Sequence, residues 1–209
     1  MKWGDTELHS YPVGPSPRFP LSVDVAWSAL RDQYDFGMGA DQSVIVSYQV
    51  RRGGMLFPEQ PLTTSISVNF EVVGPDNPNE PDPVNEELPE VTVRGESQLD
   101  NQLIESDHGK DATAYIPLYA GAKENDLIKL FWNNEPTTLE YYVKAGDIEG
   151  QVIPVDIPWP LIEKTGNYLS LPVFYRITDG AGLNYQQSKT TGVNIKIEAV
   201  EVPAPTFPD

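Results

Sequence analysis

Residues 193–197 read Val-Asn-Ile-Lys-Ile, so apolar and polar side chains alternate strictly along this stretch. Alternation with a period of two is typical of a β-strand that buries one face. Two stretches, 27–33 and 158–164, read as short helices. Further short runs rich in β-branched or aromatic residues, separated by turn residues, cover 91–93, 114–118, 127–132, 153–157 and 171–177. Many short strands with frequent turns predict an all-β chain of immunoglobulin-like sandwiches.

Five groups of residues recur in the same order in the two halves of the chain, which predicts a tandem repeat. Their offsets are 129, 132, 132, 127 and 127, so the gaps fall in loops. The matched groups are Trp3 with Trp132, 23–27 with 155–159, 29–30 with 161–162, 46–50 with 173–177, and 60–70 with 187–197.

The second copy has the length of a complete repeat, whereas the first starts late. Residues 90–201 hold about seven predicted strands, the number in an immunoglobulin-like domain. Residues 1–73 begin at the counterpart of Trp132, so they match only the last four or five strands. Either a longer parent was cut here, or the other strands come from elsewhere. An open sheet edge invites pairing with another chain. We therefore expect residues 1–73 either to be poorly ordered alone or to be completed by a partner chain, as in a strand-swapped homo-oligomer.

Between the copies, residues 74–89 read as a linker. The stretch 74–90 holds five prolines and six acidic residues in 17 positions, a composition that favours an extended, solvated segment. Asp76, Glu80 and Asp82 are weak candidate calcium ligands, but the prolines oppose the tight wrap of a calcium loop. Residues 202–209 read as a Pro-rich tail or the start of a further linker.

Several motifs of the second copy resemble the tandem bacterial immunoglobulin-like repeats of very large surface or adhesin-like proteins. The resemblance covers most of 90–205 and, more weakly, 1–73. It rests on 126–133, 152–162, 173–182 and Ser188. Two positions depart from the family pattern, since 124–126 replaces a Gly-Asp turn and Asn133-Asn134 replaces a glycine. The resemblance implies a structural stalk or an adhesive role, with no catalytic residues to carry over.

Composition excludes several classes of partner and chemistry. The net charge is −17, which repels nucleic acid and anionic membrane surfaces. The absence of cysteine excludes disulfides, thiolate metal sites and cysteine nucleophiles. No stretch has the length of a membrane helix, and the first residues show no secretory signal. We expect no cofactor, and an extracellular or cell-surface location, with a cytosolic one as the alternative.

The aromatic residues fall into two groups. Six lie at matched sites, which favours a structural role in core or corner packing. These are Trp3, Trp27, Tyr48, Trp132, Trp159 and Tyr175. Four unmatched loop aromatics are the candidates for a ligand surface. These are Tyr34, Phe36, Phe57 and Tyr185.

Polar motifs give weak catalytic signals. Ser106-Asp107-His108 has the residue types of a hydrolase triad, but adjacent loop residues rarely point at one another. The matched Asp24 and Asp156 either bond loop amides or join a metal site.

We therefore expect a non-enzymatic structural or adhesive segment whose partners are neighbouring repeats and protein or glycan ligands. The alternative is a carbohydrate- or protein-binding module that uses loop aromatics or the open sheet edge.

Overall fold

The computed structural model describes residues 1–15, 20–39 and 41–198. The chain divides into two compact units, Met1–Glu71 and Val72–Asp209. Strands dominate both units, and the two α-helices have only five and seven residues, so the all-β prediction is confirmed. The predicted tail, 202–209, lies outside the described residues.

The first unit is a four-stranded antiparallel sheet with one short helix. The elements are β1 (Lys2–Trp3), β2 (Thr6–Glu7), α1 (Trp27–Arg31), β3 (Gln42–Arg52) and β4 (Met55–Val68). The strand order is β2-β1-β3-β4, and the β1–β2 turn places Gly4 at φ +55°, a conformation that glycine adopts without strain.

The second unit is a nine-stranded sheet. The strands are β5 (Thr92–Arg94), β6 (Gln102–Leu103), β7 (Ala112–Pro117), β8 (Leu127–Trp132), β9 (Glu135–Tyr142), β10 (Val152–Ile157), β11 (Tyr168–Thr178), β12 (Tyr185–Gln187) and β13 (Thr191–Ile195). A 3₁₀ turn spans Glu105–Asp107, and α2 spans Trp159–Thr165. The strand order is β10-β7-β5-β6-β13-β11-β8-β9, and β12 pairs with β11.

Alternating side chains build the core of the second unit. Along β10, Ile153, Val155 and Ile157 are buried and the residues between them are exposed, as a period of two requires. Strand β10, at one end of the order, lies beside β9 at the other end, so the sheet curls around one apolar cluster. All seven predicted strands are present, and β6 and β12 are two further short ones.

Residues 74–89 differ from the solvated linker that their composition predicts. They belong to the second unit, where Asn85 and Leu88 are buried. The Asn85 side-chain amide donates to the carbonyl of Pro75 at 2.9 Å and to the side chain of Gln186 at 2.5 Å. Gly74 also packs so closely that a Cβ there would lie 2.6 Å from Cδ1 of Ile177. Asp76, Asp82, Glu86 and Glu87 stay exposed while these neighbours anchor the segment.

Candidate functional site

The sheet of the first unit reproduces one half of the second unit's sheet. The order β4-β3-β1-β2 matches the order β13-β11-β8-β9. Trp3 pairs with Val46 across β1 and β3, and Trp132 pairs with Val173 across β8 and β11. These are the residues that the sequence repeat matches, so strand order and register both agree.

Backbone hydrogen bonds next to these pairs agree as well. The amide of Gly4 donates to the carbonyl of Ile45 at 2.9 Å, and the amide of Asn133 donates to the carbonyl of Pro172 at 2.9 Å. Gly4 and Asn133 both have φ +55°. The hairpin that follows each tryptophan therefore has the same conformation at its first turn residue, although one copy uses glycine and the other asparagine.

The inward side of β11 is completely buried. Tyr175 and Ile177 have no exposed surface, and the Tyr175 hydroxyl donates to the carbonyl of Pro89 at 2.7 Å. Burial raises the pKa of the Tyr175 hydroxyl above its ordinary value. Val93 of β5 and Ile116 of β7 belong to the same apolar cluster. Strands from the first half of the unit therefore cover this side.

The matching side of the first unit is open. Tyr48 and Val50, the counterparts of Tyr175 and Ile177, are 50% and 46% exposed. Tyr48 pairs with Leu62 and Val50 pairs with Phe57 across β3 and β4, and paired residues of antiparallel strands point to the same side. Leu62 and Phe57 are also about half exposed. We call Tyr48, Val50, Phe57 and Leu62 the open face.

Residues 20–25 of the first unit lack the paired strand that their counterpart has in the second unit. Their counterpart is β10, which pairs along its whole length with β7. In the described part of the first unit, no strand corresponds to β7, and residues 20–25 form no strand. Val23 and Val25 are half-buried, whereas Val155 and Ile157, their counterparts, are buried.

The two units also differ in the hydrogen bonding of a buried indole N–H group. The Trp132 indole donates to the Thr165 hydroxyl at 2.8 Å. Its counterpart, Trp3, is buried, and its Nε1 has no acceptor among the described residues. The position that matches Thr165 is Gln33, whose Oε1 accepts instead from the amide of Asp5 at 3.2 Å. An unsatisfied buried donor costs about 1–3 kcal/mol, so the first unit carries a polar defect that the second avoids.

The six aromatics predicted to be structural have unequal burial. Trp3, Trp132 and Tyr175 are buried, as core packing requires. Trp27 and Trp159 are half-buried at the starts of α1 and α2, where they contact the rings of Phe70 and His108. Tyr48 is half-exposed because no strand of the described first unit covers it.

The four candidate ligand aromatics lie on different elements. Tyr34 is 5% exposed and packs against the rings of Phe36 and Phe70, which corrects its assignment to a ligand surface. Phe36 follows it in the same loop and is 40% exposed. Phe57 belongs to the open face, where it joins residues that the sequence analysis had not assigned to ligand binding.

Tyr185 belongs to a cluster on the second unit. The guanidinium of Arg176 lies 4.1 Å from the Tyr185 ring centroid and 4.4 Å from that of Phe131. Phe131 in turn stacks on Phe174, with the centroids 4.9 Å apart. Tyr185 is only partly exposed, because a cation–π contact holds one of its faces. Its surroundings therefore favour a packing role over a free sugar platform.

Asp107 organises a turn. Its carboxylate accepts hydrogen bonds from the amide of Ser97 at 2.7 Å, the Ser97 hydroxyl at 2.8 Å and the amide of Ile104 at 2.9 Å. Burial acts to raise the pKa of Asp107, but these hydrogen bonds outweigh it and lower the pKa. The His108 ring instead contacts Trp159. Asp107 and His108 are thus engaged with different partners, while Ser106 is exposed.

The candidate metal ligands do not come together. Among residues 1–15, 20–39 and 41–198, no group of three His, Cys, Asp or Glu side chains could hold a metal ion, and this includes Asp76, Glu80 and Asp82. Within the described part of the chain, Asp156 accepts from the Thr113 hydroxyl at 3.5 Å and from no loop amide. The amide of Trp159 is bound by Asp111, which the sequence analysis missed.

No helix within the described ranges has the length and apolar character needed to cross a membrane. Comparison with known proteins gives no match to this chain among protein-family models, curated proteins or solved structures.

Proposed function

We propose that this chain is a non-enzymatic structural and adhesive segment, built from two immunoglobulin-like repeats of a bacterial cell-surface or secreted protein. The observation that carries the proposal is the matched pairing of Trp3 with Val46 and of Trp132 with Val173. A repeated sheet with matched register is the unit from which extended repeat proteins are assembled.

The packing of residues 74–89 supports a load-bearing role. Hydrogen bonds and buried side chains join this segment to β12. The backbone amide of Asn85 donates to the carbonyl of Gln187 at 2.9 Å, and the backbone amide of Gln187 donates to the carbonyl of Pro83 at 2.8 Å. A net charge of −17 adds self-repulsion that keeps an array of such units soluble and separate.

Single-molecule force spectroscopy tests this role. The full chain is held at both ends, and its extension is recorded under force. We expect a resolved force peak for the second unit, with a gain in length of about 3.3–3.6 Å for each residue released. Extension of the second unit without a resolved peak would contradict a load-bearing function.

The open face favours protein binding as a second function. Four large apolar side chains, each about half exposed, lie together on one side of β3 and β4. Contiguous exposed apolar surface marks interaction sites. A glycan array tests the carbohydrate alternative. Glycan binding that is lost in Phe36→Ala or Tyr185→Ala would favour sugar recognition by the loop aromatics. Absence of glycan binding favours a protein ligand.

A further inference from the structure

We propose that the outer face of the second unit binds the carboxylate of an acidic sugar, with the guanidinium of Arg176 at the centre of the site. The inference names a ligand class for the adhesive part of the proposed function and rests on it. The site belongs to the second unit, whereas the open face belongs to the first.

Aromatic and amide groups hold the Arg176 side chain in place. Its guanidinium lies 4.1 Å from the ring centroid of Tyr185 and 4.4 Å from that of Phe131. Its Nε donates to the side-chain oxygen of Gln187 at 3.1 Å. Within the described residues the two terminal nitrogens make no hydrogen bond, and neither is buried. A guanidinium held in this way presents a preorganised fork of donors, whose geometry matches a carboxylate.

The other arginine of the second unit shows which group completes such an arrangement. Arg94 also lies over a tyrosine ring, with its guanidinium 5.3 Å from the centroid of Tyr115, and it binds the carboxylate of Asp100. Arg176 forms no ion pair with any carboxylate of the described residues, although the chain has 31 acidic residues. The comparison therefore favours a carboxylate from outside the chain.

A second cation strengthens the positive potential at this place. Lys129 lies directly opposite Arg176 across β8 and β11, so both side chains are on the same side of the sheet. The Lys129 ammonium donates to Glu140 at 2.8 Å, so one carboxylate serves two neighbouring cations. Like charges opposite one another destabilise a sheet, and a bound anion would remove that cost. The net charge of −17 repels polyanions, which favours a ligand with a single carboxylate.

The sequence repeat shows that the sheet forms without this cluster. The matched strands pair in the same register in both units. The first unit nevertheless has polar or charged residues where the second has the aromatic and arginine side chains of the cluster. Lys2, Ser47 and Gln49 stand at the positions of Phe131, Phe174 and Arg176.

The surroundings of Arg176 favour a sugar over a peptide as the carrier of the carboxylate. Strands β8 and β11 are each paired on both sides, so a peptide finds no free strand edge here. Thr178 and Tyr185 pair across β11 and β12 on the same side as Arg176, and both carry hydroxyl groups that can bond to sugar hydroxyls. Tyr142 lies in the same row across the sheet and is 53% exposed, so its ring offers further contact area.

Titration of the full chain with methyl glucuronide tests the proposal, with the NMR signal of the Arg176 Nε–H group as the readout. Methyl glucoside has the same ring without the carboxylate, and N-acetylglutamate amide has a carboxylate without the ring. We expect a saturable shift of the Arg176 signal with the glucuronide and an unchanged Arg94 signal. The two comparison ligands should bind at least about tenfold more weakly, because each lacks one half of the contacts.

Matched variants test the role of the guanidinium. Arg176→Lys keeps the charge and removes the planar fork, so we expect it to weaken glucuronide binding by about tenfold or more. Arg94→Lys is the control and should leave the affinity within about twofold. Backbone amide signals of Thr178 and Gln187 report on binding in these variants. If Arg176→Lys does not fold, Lys129→Gln serves instead and should weaken binding by about threefold, because it removes only the neighbouring charge.

Three results would overturn the proposal. The first is an Arg176 signal that does not move with the glucuronide. The second is equal binding of methyl glucoside or of N-acetylglutamate amide, because the ligand is then not an acidic sugar. The third is equal weakening in Arg176→Lys and Arg94→Lys. The force experiment does not depend on a ligand, so failure of the titration leaves the load-bearing function standing, and the reverse also holds.

Discussion

Trp132 donates its indole hydrogen to the Thr165 hydroxyl at 2.8 Å, and the same hydroxyl donates to the carbonyl of Leu161 at 2.9 Å. One side chain at the end of α2 thus accepts from a buried indole and bonds back to the helix carbonyl four residues earlier. The bond fixes the helix against the strand β8, on which Trp132 lies.

Replacing Thr165 by valine keeps the shape of the side chain and removes the hydroxyl. We expect Thr165→Val to lower the free energy of unfolding of the second unit by about 1–3 kcal/mol, because the indole N–H is left buried and unpaired. Chemical denaturation followed by tryptophan fluorescence measures this. Thr165→Ser is the control, since it retains the hydroxyl, and equal losses in the two variants would contradict the hydrogen-bond argument.

Asp107 should make the second unit sensitive to acid. Its pKa in the folded state lies below the ordinary value of 3.8, so the folded state favours the carboxylate. The stabilisation is fully present above pH 3.8 and is lost as the pH falls through the lowered pKa. We expect Asp107→Asn to reduce the unfolding free energy by about 1–3 kcal/mol at neutral pH and by less in acid.

Denaturation at a series of pH values measures the effect of Asp107. Asp100→Asn, at an exposed carboxylate that pairs with Arg94, is the control and should cost less than about 1 kcal/mol. A stability difference for Asp107→Asn that stays constant as the pH falls would contradict the assignment.

Gly74 is a position where space limits the side chain. Its φ is +94°, and a Cβ there would lie 2.6 Å from Cδ1 of Ile177. Gly121 has φ +74° with nothing near its Cβ position, so Gly121→Ala measures the backbone cost alone. We expect Gly74→Ala to destabilise the second unit by about 1–3 kcal/mol more than Gly121→Ala, because overpacking adds to the strain. Thermal unfolding of the two variants tests this, and equal shifts would argue against the close contact.

Asn85 should hold residues 74–89 in place. Its side chain is completely buried and joins the Pro75 carbonyl to the Gln186 side chain. We expect Asn85→Ala to cost about 1–3 kcal/mol and to speed cleavage of this segment by an added protease. Glu87→Ala, at an exposed site in the same segment, is the control and should be cleaved at the wild-type rate.

The sequence allowed the strands and the repeat to be predicted because both depend on local patterns. The alternation of Val193, Ile195 and Ile197 needs no knowledge of a partner, and all three residues are buried as it requires. The match of Tyr48 to Tyr175 predicted a packed side chain at both positions, yet Tyr48 is half exposed while Tyr175 is buried.

Other features depend on partners far along the chain, and composition does not show them. Asn85 meets Gln186 across 101 positions, so a segment that reads as solvated is anchored by distant groups. Tyr34 reads as an unmatched loop aromatic, yet Phe70 covers its ring from the end of the same unit. In both cases tertiary contacts override the local pattern.

The strand order of the second unit also has a consequence for its folding kinetics. In the second unit, β11 meets β8 through pairs such as Val173 with Trp132, which are 173 − 132 = 41 positions apart. The pairing of β13 with β6 joins Asn194 to Gln102, which are 194 − 102 = 92 positions apart. Closing a longer loop costs more entropy, so the nearer pairs are expected to form first. The half-sheet of the first unit has the same order as the strands that these nearer pairs join in the second unit.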